Sequence, residues 1–154
     1  MPVALKKERK PSIPTLQQAK KIIDELDLTP IIERVMKEKR WTRRMGEIAA
    51  GFYKNFLYLS KKYSKHALTP TQQIDEIWHA HILYTQDYHA ACKKIFGYYL
   101  HHQPFHKEEG EVPSEETGIK FLQELHEKEF GTSIYDAVYS LKDIQHFIRK
   151  AYKK

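Results

Sequence analysis

The stretch DEIWHAHILY, Asp75 to Tyr84, sets two histidines two residues apart, behind a tryptophan and one helical turn beyond a carboxylate. Its secondary structure decides the fold and the chemistry together. In a strand, His79 and His81 would share a face. In a helix, successive residues turn by about 100°, so positions i and i+2 point roughly 160° apart and cannot grip one ion. The flanks favour helix. Thr69-Pro70 is a start signal, TPTQ has capping-box form, and the apolar residues recur with a period near 3.6. Gly97 suits the position just past a helix end. One uninterrupted helix near residues 70–96 is the expectation.

On that helix Ile74, Ile77, Trp78, His81, Thr85, Tyr88, Cys92, Ile95 and Phe96 form one stripe, facing the core. Trp78, Thr85, Tyr88 and Cys92 would then wall a buried pocket around His81. Two readings of His81 stand side by side: a hydrogen-bonded core histidine, or a functional group in that pocket. The neighbouring stripe carries Asp75 and His79 at i,i+4. There the carboxylate can accept from one ring nitrogen and turn the other outward, as it does behind metal ligands and general bases. The same pair is also an ordinary surface interaction worth a few tenths of a kcal/mol.

The rest of the chain reads as helices separated by punctuation. Thr15–Gln18 is another capping box, Thr29-Pro30 and Thr42 mark further starts, and Ser114 and Ser140 can cap two later helices. No segment shows sustained period-two alternation. The expected fold is an all-α, single-domain bundle of about six helices spanning residues 13–152, behind a basic flexible tail at residues 1–12. With 154 residues and 41% hydrophobic content, the chain can bury one core unaided. A single cysteine rules out an intrachain disulfide. The start MPVALKKERK lacks an apolar export region and no long apolar run occurs, so a cytoplasmic protein without a membrane span is expected.

The net charge of +6 suggests nucleic acid at first sight, but its distribution argues otherwise. Residues 1–10 carry +3 and residues 149–154 carry +4, which leaves −1 for residues 11–148. A nearly neutral body is no electrostatic funnel for phosphate. The basic run KEKRWTRR, Lys37–Arg44, is the best remaining nucleic-acid candidate, and it reads more simply as a helix junction.

Six of the nine histidines lie between His79 and His106, including His101, His102 and His106 around Pro104. Such density invites a transition metal, although no Cx₂C or HExxH spacing is present. Reach limits the combinations. A helical rise of 1.5 Å puts His79 about 27 Å from Gly97, whereas a returning chain gains at most about 3.5 Å per residue. His101 and His102 can therefore come level with His89 but not with His79. A site joining them to His79 requires a break between Leu83 and Cys92.

The residues from Ile74 to Pro104 resemble the histidine-containing core of the glycine-rich domain-containing protein-like family. The matching positions are Asp75, Trp78, His79, His81, Tyr88, Cys92, Gly97, His102 and Pro104. The resemblance implies a shared helical scaffold and supplies no reaction. These residues include no glycine-rich tail, so a stand-alone core domain is expected.

Together these readings point to a histidine-rich polar site that binds a transition metal (Zn, Fe or Cu). His79, His81, His102 and His106 are candidate ligands, and Asp75 orients His79. The alternatives are an interaction module with structural histidines and a protein partner, and nucleic-acid binding through the basic segments.

Overall fold

A computed structural model describes residues 12–102 and 115–134. Among them are six helices and no strand: α1 (Leu16–Glu25), α2 (Thr29–Lys39), α3 (Arg43–Lys62), α4 (Gln72–Leu83), α5 (Thr85–Ile95) and α6 (Glu115–Phe130). The fold is all-α, as expected. The helix expected around Leu141–Ile148 and residues 1–11 of the basic tail expected at 1–12 lie outside the described residues.

Local chemistry starts and stops these helices. Thr15 accepts from the Gln18 N–H while the Gln18 side chain accepts from the Thr15 N–H, completing the capping box of α1. Thr42 caps α3 by accepting from the Met45 N–H. At two starts the cap falls elsewhere than expected. Asp27, not Thr29, serves α2, its Oδ1 accepting from the Thr29 N–H at 3.0 Å. Thr71, not Thr69, caps α4. Either arrangement satisfies a backbone donor that the first helical turn leaves unpaired.

The expected single helix over 70–96 is two helices. Tyr84 sits at φ −83°, ψ 69°, outside the helical region, and its N–H bonds to the His81 carbonyl three residues back. No proline or glycine marks the break. Tyr84 is held from outside, under the Arg34 guanidinium, which lies 5.8 Å from its ring centre. The change of direction lets α4 pack on α2 and α3 while α5 packs on α1. It also resets the phase of the buried stripe. Ile74, Ile77, Trp78 and His81 are buried on α4, and Tyr88, Cys92 and Ile95 on α5, but Thr85 between them is exposed.

Helix α3 lies at the centre, packed on α1, α2, α4 and α6, with Tyr53, Phe56, Leu57 and Leu59 almost wholly buried. Gly46 permits its close approach to α2: a Cβ there would meet Ile32 Cγ2 at 2.8 Å. Alanine normally favours a helix interior by about 1 kcal/mol over glycine. Overpacking against a buried branched side chain costs about 1–3 kcal/mol and outweighs that gain. Gly46→Ala is therefore expected to destabilise the fold by about 1 kcal/mol, read as a lower urea midpoint at unchanged slope.

Candidate metal centre

Asp75 stands in the first turn of α4 and His79 one turn later, so both project from the same exposed side. His102 arrives from the other end of α5. Gly97, at φ +79°, turns the chain after α5, a conformation that a residue without Cβ adopts freely. The returning segment is fastened from within. Trp78 Nε1–H donates to the Tyr88 hydroxyl at 2.9 Å, and that hydroxyl donates to the Leu100 carbonyl. His102, two residues on, then lies over Trp78 and His79, with ring centres 4.2 Å and 4.4 Å apart.

The result is a cluster of one carboxylate and two imidazoles. Asp75 Oδ1 lies 2.5 Å from His102 Nε2, and Oδ2 lies 3.6 Å from His79 Nδ1. The first is a hydrogen bond and the second an ion-pair distance. One ligand atom from each residue can be chosen so that all three lie within 4.8 Å of one another. The side chains of His79, Asp75 and His102 are 55%, 30% and 16% exposed, which leaves the cluster open to solvent on the His79 side. The expected partner of His79 is thus present, but Asp75 holds His102 more tightly.

His81 does not join them. As helix geometry requires, it points away from His79 into the core, only 3% exposed, with Nδ1 2.7 Å from the Tyr53 hydroxyl. The phenol has no other partner among the described residues, an arrangement that favours its O–H donating to Nδ1 with the ring proton assigned to Nε2. Burial pulls the imidazole from 6.5 down to about 4, against a weaker opposing pull from Asp87, so the ring is neutral near pH 7. The reading of His81 as a hydrogen-bonded core residue fits this geometry.

Of the residues expected around His81, Trp78, Tyr88 and Cys92 are buried and Thr85 is exposed. Burial pushes the Cys92 thiol up, so it is a packed hydrophobe rather than a thiolate. His101 lies tilted against Tyr99, apart from the cluster, and His106 lies outside the described residues. Sequence reading missed His126, which is 1% exposed and held by Asn55 and the Thr132 carbonyl. Its place four residues after Leu122 and one after Leu125 was the available signal. In the basic run Trp41 is buried, Lys39 pairs with Glu76 and Arg43 with Glu33.

The Tyr88 hydroxyl is the fastening on which His102 depends. Tyr88→Phe leaves the Trp78 N–H without its acceptor and the Leu100 carbonyl without its donor. A loss of about 2–3 kcal/mol is expected in chemical denaturation, since buried groups stripped of partners cost about 1–3 kcal/mol each.

Fold and site together define an all-α domain built on a Trp-His-x-His helix, with an aspartate one turn upstream and a histidine folded back from beyond the next helix. The UCP032817-like family model matches residues 18–131, and the chain belongs to that family. It is also similar to glycine-rich domain-containing protein 1 of Arabidopsis thaliana, 32% identical over 93 residues. That alignment covers 58% of this chain and 11% of the relative, so the chain spans only a small part of that protein's length. No solved structure matches. Among the described residues, no helix is long and apolar enough to cross a membrane.

Proposed function

We propose that the protein binds a transition metal ion (zinc, iron or copper) through Asp75, His79 and His102. The observation that carries this reading is the convergence of three ligating side chains from segments 27 residues apart. Two imidazoles and a carboxylate are a donor set suited to zinc and to non-haem iron, and such three-ligand sites keep a coordination position open. Tetrahedral ligands at 2.0–2.1 Å from an ion stand about 3.3 Å apart. Asp75 and His102 would therefore part slightly while His79 closes in, and the exposure of His79 leaves it room to do so. When bound, such an ion supplies Lewis acidity at the open position. His81 and His126 serve the core in this reading.

Protein purified without chelators should carry metal or take up one equivalent of Zn²⁺ by calorimetric titration, at micromolar affinity or tighter. In His79→Ala that affinity should drop at least tenfold with the fold retained. Failure to take up Zn²⁺, Fe²⁺ or Cu²⁺ removes the proposal.

A further inference from the structure

A cavity of about 460 Å³ opens on the other side of the α4–α5 break, between the α1–α2 loop and α5. Nothing in the metal reading uses it. Leu26, Leu28, Ile31 and Ala91 form its apolar part. Its charged lining is one-sided: Glu25, Asp27 and Asp87 against Lys94 alone. Asp27 is fixed in place by its Oδ1 contact with the Thr29 N–H. His81 also lines the cavity, buried to 3% exposure. Tyr53 occupies its Nδ1, and among the described residues no hydrogen-bond partner meets Nε2, to which the ring proton is assigned. A buried polar atom left unpaired is costly, and one on a residue that lines a cavity marks a place where a ligand atom can sit.

The geometry points to a second binding site here, for a small amphipathic amine with an ammonium group, an apolar body and a hydrogen-bond acceptor at the far end. The ammonium meets the carboxylates of Glu25, Asp27 and Asp87. The body covers the aliphatic walls, and the acceptor takes the proton that His81 Nε2 offers. Anions are disfavoured by the surplus of carboxylates. A neutral apolar molecule would leave the imidazole donor unmet.

Tyramine has this chemistry and is small enough for the cavity. Titrated into the full chain carrying ¹⁵N-labelled histidine and backbone, it should give saturable shifts at His81 Nε2 and the Ala91 amide, with millimolar affinity. Phenethylamine, which lacks the hydroxyl, should bind more weakly, and 4-hydroxyphenylpropionate should not bind. Glu25→Lys and Asp87→Lys, both at exposed positions, should each weaken tyramine about tenfold. His79→Ala should leave the affinity unchanged, which separates this site from the metal centre. Absence of saturable shifts, equal binding of the carboxylate, indifference to both charge reversals, or loss of binding in His79→Ala would each overturn the assignment.

Discussion

Asp75→Ala should lower the affinity for Zn²⁺ by roughly 100-fold or more while leaving the fold intact. Removing a carboxylate that merely steadies a histidine ligand costs about 10–100-fold in metal affinity. Asp75 does more, because it faces both His79 and His102, at 3.6 Å and 2.5 Å, and is itself a candidate ligand. Its loss should therefore exceed that range and exceed the effect of His79→Ala. Stability should change little. Asp75 is part exposed, and the helix start it adjoins is capped by Thr71. Competition against a chromophoric chelator would read the affinity, and circular dichroism the fold. An equal affinity in wild type and Asp75→Ala would exclude this residue from the site.

The second large effect belongs to His81 and appears as pH dependence. Burial lowers its folded-state value from 6.5 to about 4, so between those limits the unfolded chain binds a proton that the folded one refuses. The stabilising contribution is complete above pH 6.5 and is lost as pH falls toward 4. Its full size is roughly 3 kcal/mol. Other groups titrate in the same interval, so the comparison is with His81→Asn, whose side-chain oxygen can still accept from Tyr53. In metal-free protein, urea unfolding from pH 7 to pH 4 should show wild type losing roughly 3 kcal/mol more than the variant. Parallel curves would mean that the imidazole is not held neutral by the core.

Most of the helices were legible because their boundaries are local chemistry. Thr15 and Thr42 are side-chain caps, Pro30 belongs in a first turn, and Gly97 takes a positive φ after α5. The divergence of His79 and His81 was legible for a similar reason, since it follows from the turn per residue alone. The break at Tyr84 was not. Neither glycine nor proline signals it, and Tyr84 is held by Arg34 from α2 while α5 turns to meet α1. Those partners are distant in sequence. The misplaced stripe through Thr85 and the separation of His79 from His102 both descend from that one error. Helical rise and chain reach allow their meeting only across a break between Leu83 and Cys92, and Tyr84 supplies it. The His81 cavity was illegible for the same reason, because the α1–α2 loop that lines it is distant in sequence.

The turn at Tyr84 brings His102 to Asp75 and His79, while His81 points inward to Tyr53. Long-range ¹H–¹⁵N spectra of the imidazole rings, taken before and after one equivalent of Zn²⁺, test it most directly. Ring nitrogens of His79 and His102 should move to metal-bound shifts together, while His81 stays neutral with its proton on Nε2. Coordination of the ion by His81, or a His102 ring that does not respond, would contradict it.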